Sequence, residues 1–260
     1  MDCEMKIFIG AIALFLGLAA QLTPATAENG TTLKLCSTTW GKLGGENLPG
    51  KGYVSDLAMR VFRHAGYKVE TKIMPWPRCV ELVKQQQIDL VASGWRGDNF
   101  APYFDYLNVI VKDTVNFITL EGSPLQSGEM KNFYGKKVGL VREAGGLEAI
   151  FADQEKIEVV KVGKLEKLPA MLAGQRFDAI VSDPVSLNEA IKSFAQPFTY
   201  KIKALDPPLR VNLNSPLISK QHPNKDKIIA DFDRSYRVLV AEGMYDELEK
   251  IHDLKVQRPD

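Results

Sequence analysis

Asp183 ends the apolar run Phe177–Ser182 and stands immediately before Pro184. A carboxylate there can cap the helix that Pro184 opens, or offer acceptor oxygens to a cationic group, and the two roles can coexist. Arg96 follows a second run, Ile88–Ala92 closed by Ser93-Gly94. Its planar fork suits a carboxylate, to which it can donate two parallel hydrogen bonds; the plainer alternative is a surface salt bridge. Trp40, Trp76 and Trp95 lie beside the ends of expected strands and helices, as pocket walls or as packing residues. Arg142 precedes Ala144-Gly145-Gly146, where a guanidinium and the N–H groups of a helix start would attract an anion, although paired glycines also simply make turns. These side chains hold a guest and do not transform it. Ser-His-Asp, Cys-His and metal-ligand spacings are lacking, and His64, His222 and His252 read as surface or helix-end residues. No catalytic group, metal or cofactor is expected.

The elements that position these residues follow one grammar. Pro75–Arg96 reads as a helix carrying Trp76, Val80 and Val83, a stop at Gln85–Gln87, and then a short buried strand. Pro169–Ser182 repeats it at a constant offset, with Leu172 on Val83, Phe177 on Ile88 and Ser182 on Ser93. Thr32–Ser37, Tyr67–Met74 and Leu107–Leu120 are further expected strands in the first series, with a helix over Tyr53–His64 and loop over Asn99–Tyr106. Gly135–Val141 and Ile157–Val162 are strands of the second, with helices over Leu165–Ala173 and Pro184–Phe194. Val211–Ser219 returns as a strand, and helices over Asn224–Glu242 and Met244–His252 complete the chain. Alternating strands and helices predict an α/β fold of mostly parallel sheets flanked by helices. The two series predict two similar lobes joined by two hinge crossings, near Val109–Thr114 and Ala204–Leu209. In such sheets ligands bind outside the carboxyl ends of strands, which selects the residues named above.

The N-terminus bounds the compartment. Ile7–Ala20 is apolar, too short to span a bilayer, and is followed by the A-x-A pattern Ala25-Thr26-Ala27, so residues 1–27 are expected to be a secretory signal. The formal net charge is +1, and neither a nucleic-acid partner nor an anionic membrane surface is indicated. Beyond the leader, Cys36 and Cys79 remain; in an oxidising compartment they could pair, and two buried free thiols are the alternative.

Several motifs fall in a familiar order: G-Y-x-x-D-L at Gly52–Leu57, the aromatic-led helix and D-L-x-x-x-G of Trp76–Gly94, and Phe133–Gly139. The run from Leu172 to Asp183 and G-x-Y-x-E-L at Gly243–Leu248 complete the series. The chain resembles the periplasmic solute-binding proteins of the polar amino-acid type, family 3. That resemblance implies a monomeric, hinge-closing receptor in the periplasm, with type II topology, that takes a small polar or zwitterionic ligand and hands it to an ABC permease of the inner membrane. Residues 28–109 and 206–260 would form one lobe and 110–205 the other. It implies that Asp183 takes an ammonium, that Trp76 packs the ligand side chain, and that the turn at Ala144–Gly146 donates N–H groups. The family's usual carboxylate-binding arginine, in T-x-T-x-x-R, has no counterpart in Arg96-Gly97-Asp98-Asn99-Phe100, so Arg96 itself is the candidate replacement. Two other readings stay open: an accessory or sensor protein with a protein partner, and a cyclohexadienyl-type dehydratase using Glu143.

Overall fold

The computed structural model describes residues 30–97, 100–142, 147–152, 155–192 and 194–259. The expected leader lies outside them, and among the described residues no helix is long and apolar enough to cross a membrane.

The first series builds β1 (Thr32–Ser37), α1 (Tyr53–His64), β2 (Lys68–Ile73), α2 (Trp76–Lys84) and β3 (Leu90–Trp95). β1 lies between β2 and β3 and is parallel to both. α2 ends where Gln86 turns to a φ of 60°. β3 runs further than the sequence suggests, because Ser93 and Gly94 stay in the strand. An irregularity in its pairing with the returning strand keeps Gly94 opposite Ser215 and Trp95 opposite Asn214.

A short strand, β4 (Phe104–Tyr106), lies within the segment expected to be loop, and β5 (Val111–Leu120) follows. The second series then builds β6 (Lys137–Val141), β7 (Glu158–Val162), α3 (Lys167–Ala173), β8 (Ala179–Ser182), α4 (Pro184–Lys192) and β9 (Ile202–Ala204). β6 is parallel to both β7 and β8. The helix expected through Phe151 is a 3-10 turn, Leu147–Phe151. The chain returns as β10 (Arg210–Ser219) and closes with α5 (Lys225–Ala241) and α6 (Met244–His252).

Strand order is β2-β1-β3-β10-β5-β8-β6-β7, with β4 on β10 and β9 on β5. Pairing passes from one half to the other without a break because β5 changes partners midway. Val111–Val115 pairs antiparallel with Arg210–Asn214 of β10; Asn116–Ile118 and Ile118–Leu120 pair with β8 and β9. Each half has apolar cores on both faces of its strands. In the first, Leu57, Phe62 and Phe232 lie on one side and Val83, Phe104 and Leu217 on the other. In the second, Phe117, Phe133 and Leu140 oppose Leu168, Leu172 and Leu187. The sheet between such layers is covered on both faces, as its near-continuous apolar strands require.

Cys36 of β1 and Cys79 of α2 form a disulfide, with Cα atoms 5.7 Å apart and a sequence separation of 43. In the chain-entropy account a loop of that length is worth about 4 kcal/mol of stability. Reduction, or Cys79→Ser, is expected to lower the melting temperature by on the order of 10 °C. Thermal melts with and without reductant check this; coincident curves would contradict it.

Candidate functional site

The loop after β1 is pinned before it presents anything. Trp40 N–H donates to Gly44 O at 2.8 Å, Leu43 N–H to Trp40 O at 2.9 Å, and Tyr53 N–H to Lys42 O at 3.0 Å. The packing leaves no room for a side chain at two glycines. A Cβ on Gly44 would meet Thr38 O at 2.3 Å, and one on Gly52, whose φ is +98°, would meet Gly44 Cα at 2.5 Å. The rigid loop carries Trp40 to the other half of the chain, where its Nε1–H donates to Asp183 Oδ2 at 3.2 Å.

Asp183 is held from its own side as well. Oδ1 accepts the Ser186 N–H at 2.7 Å, so Asp183 caps α4 while its second oxygen faces Trp40. Burial pushes its carboxyl above the usual range, opposed by the donors from Ser186 and Trp40. The contact extends along α4: Gly41 lies against Ser186, and Lys42 Nζ sits 3.9 Å from Glu189 and 2.9 Å from Asp253.

Directly paired residues of neighbouring strands share a face. Trp95 therefore lies with Asn214, and Asp113 with Asn212. Asp113, 7% exposed, accepts from Asn214 Nδ2 at 2.8 Å and Asn212 Nδ2 at 3.3 Å. The Arg210 guanidinium lies 4.5 Å from the centre of the Trp95 ring, and Trp95 meets Trp40 edge to face at 6.3 Å. Burial pushes the Asp113 carboxyl up to about 7, with the nearby negative charge of Asp183 adding to the rise and the Asn214 amide opposing it.

The structure thus brings Trp40, Trp95 and Asp183 together, with Asp113, Arg210, Asn212 and Asn214 beside them. Arg96 is not among them, and the expectation that it faces Asp183 is corrected. It succeeds Trp95 on the strand, so its side chain takes the opposite face, that of Gly94 and Ser215. There Nε donates to Ser215 Oγ at 2.8 Å and an Nη to Leu107 O at 2.5 Å, 5.5 Å from the Tyr106 ring centre. The carboxylate that acts on it is Asp233 of α5.

Trp76 lies on that face too. It packs edge to face against Phe100 at 5.8 Å and over Gly94, where a Cβ would come within 2.6 Å of its ring. Arg142 is exposed at the end of β6, its N–H bonded to Val162 O. Gly145 and Gly146, and Glu143 with them, lie outside the described residues. Of the histidines, His252 ends α6 as expected but is buried, 3.1 Å from Asp56 Oδ2, and His222 meets Asp89 at 3.1 Å. Among the described residues no cluster of His, Cys, Asp and Glu is arranged to hold a metal.

Sequence reasoning missed Asp113, Arg210, Asn212 and Asn214. The available signal was alternation: Asn212 and Asn214 recur at period two, in a strand taken simply as returning, with Asp113 opposite in a strand otherwise strongly β-forming.

The profile of the bacterial extracellular solute-binding proteins, family 3, matches residues 45–252. The chain belongs to that family. A histidine kinase sensor domain described as similar to periplasmic binding proteins has a TM-score of 0.71 at 15% identity, covering 88% of this chain and 98% of that one. An amino acid ABC transporter substrate-binding protein, AbpA from Streptococcus pneumoniae, bound to L-arginine, gives 0.68 at 14% identity, with coverage of 85% and 94%. A putative L-cystine ABC transporter from Listeria monocytogenes gives 0.67 at 20% identity, with 88% and 98%. At these identities the likeness is one of fold. Comparison with curated protein sequences gave no match. Family membership makes this chain a binding protein built on the periplasmic binding protein fold.

The raised Asp113 carboxyl has a consequence for stability. An aspartate in the unfolded chain titrates near ~4, so between about pH 4 and pH 7 the folded state keeps a proton that the unfolded state has lost. Stability from this group is therefore highest below pH 4 and falls as the pH rises to 7, by on the order of 4 kcal/mol. Asp113→Asn is expected to change the melting temperature of the ligand-free protein more favourably at pH 8 than at pH 4. Equal shifts at the two pH values would contradict the assignment.

Proposed function

We propose that this family 3 protein is an exported receptor that closes on a small polar or zwitterionic ligand and delivers it to an ABC permease. Residues 28–109 with 206–260 move against residues 110–205, and the leader over 1–27 directs the chain to the periplasm. The observation that carries the reading is the meeting of Trp40 and Asp183 across the two halves. A buried carboxylate, raised by desolvation and reached by a donor from the opposite half, is suited to a guest's ammonium group. Trp40 and Trp95 supply the apolar walls that such a guest needs. The Cys36–Cys79 disulfide supports an oxidising compartment.

A second reading, a sensor or accessory domain with a protein partner, is favoured by one observation. Arg96 is committed to Ser215 and Leu107 and leaves the family's carboxylate clamp unfilled. A binding domain whose output is a conformational change shares the same closure and differs in what reads it.

Native mass spectrometry of the purified protein, followed by thermal-shift measurements, tests the reading. A ligand that binds the folded state stabilises it by about 2.7 kcal/mol at a hundredfold excess over Kd. Amino acids, amines and related small compounds are expected to include one that raises the melting temperature, and Asp183→Asn is expected to abolish that rise. A rise unchanged in Asp183→Asn, or no rise with any member of the panel, would overturn the proposal.

A further inference from the structure

The polar groups around Asp183 are unevenly matched. Asp183 offers carboxylate oxygens from the second half, and Asp113 offers them from the crossing strand. Each has beside it a buried polar side chain with capacity to spare. Ser186, 2% exposed, gives its N–H to Asp183, and its Oγ has no hydrogen-bond partner among the described residues. Asn214, fully buried, gives Nδ2 to Asp113, and its Oδ1 likewise has none. The carboxylate oxygens and Asn214 Oδ1 accept, and the Ser186 hydroxyl can accept or donate. The Trp95 indole N–H, a donor, also lacks a partner among the described residues. Arg210 supplies one positive charge near Asp113, so two ionised carboxylates would leave the group with an excess of negative charge.

A site of this kind fits a guest with several N–H donors in a small volume. An ammonium offers three and a guanidinium five, and neither accepts. The Arg210 guanidinium over the Trp95 ring shows that this aromatic pair accepts a cation beside it. An anionic guest would bring its acceptors against Asn214 Oδ1 and two acids.

We infer that Asp113 is a second carboxylate of the ligand site, and that the preferred guest is a cationic amine or guanidine compound held between Asp113 and Asp183. The inference rests on the reading of the Asp183 region as the ligand site and adds to it a charge requirement and a residue. Groups that face Asp113 are Asn212, Asn214 and Arg210 from β10 and Asp183 from the second half. With its carboxyl near 7, Asp113 is largely protonated at pH 6. A cation favours the ionised form, so binding expels a proton and tightens as the pH rises.

Isothermal titration calorimetry of the mature protein with agmatine, L-arginine and L-glutamate, at pH 6 and pH 8, tests this. Agmatine and arginine are expected to bind and glutamate not to. Affinity for the cations is expected to be about tenfold tighter at pH 8, with proton release read from buffers of different ionisation enthalpy. Asp113→Asn is expected to remove the pH dependence and to weaken binding at pH 8 by about tenfold or more. Cation binding to the wild type without proton release, a preference for glutamate, or no cation binding at millimolar concentration would each overturn the inference, even if Asp113→Asn fails to fold. An unchanged profile in Asp113→Asn, with binding abolished in Asp183→Asn, would remove Asp113 and leave the site reading intact. Binding that survives both substitutions would remove the site reading itself.

Discussion

The antiparallel pairing of Val111–Val115 with Arg210–Asn214 joins the halves, and most of what surrounds Asp183 depends on it. Two crossing strands bonded to each other can twist and bend together, yet they keep a fixed register. That register sets Asp113 opposite Asn212 and diagonal to Asn214, and the buried carboxylate accepts from both amides. It also places Arg210 where its guanidinium reaches the Trp95 ring. The approach to β5 is fastened separately. Tyr236 donates to Val109 O at 3.0 Å, Tyr245 to Ile110 O at 2.6 Å, and the two hydroxyls lie 2.7 Å apart. α5 and α6 thereby hold the point where the chain leaves the first half.

The contact across the halves is local and polar. Trp40 meets Asp183, Gly41 fits against Ser186, and Lys42 lies between Glu189 and Asp253. The Lys42–Glu189 pair, 3.9 Å apart, adds little in water, and Lys42–Asp253 lies within the first half. The Trp40–Asp183 bond, to a buried carboxylate, matters more, because a desolvated carboxylate deprived of a donor is costly. The raised carboxyl of Asp113 costs stability as the pH approaches neutral.

Much of the frame was legible in the sequence. Thr32–Ser37 and Tyr53–His64 fall where the apolar spacing and the glycines put them, and the repeated helix–strand unit anticipates α2–β3 and α3–β8. Asp183 was legible as a cap because it stands immediately before Pro184. Arg96 was not, because its direction depends on the irregularity between β3 and β10, which moves Gly94 and Arg96 to one face and Trp95 to the other. Trp76 packs over Gly94, where the missing Cβ leaves a hollow for its ring. Asp113, Asn212 and Asn214 were hidden by an inverted pattern. In β10 the polar residues face inward while Val211, 54% exposed, and Leu213, 38% exposed, face out. An alternation rule assigns those faces the wrong way round unless the inner face is known to be a site.

A crystal structure of the protein with the guest it retains from its own cell would test the central claim most directly. The account predicts a nitrogen of that guest within hydrogen-bonding distance of the Asp183 carboxylate, with Trp40 and Trp95 against the same molecule. A guest seated on the Arg96 and Trp76 face, or bound with Asp183 still satisfied wholly by Trp40 and Ser186, would contradict it.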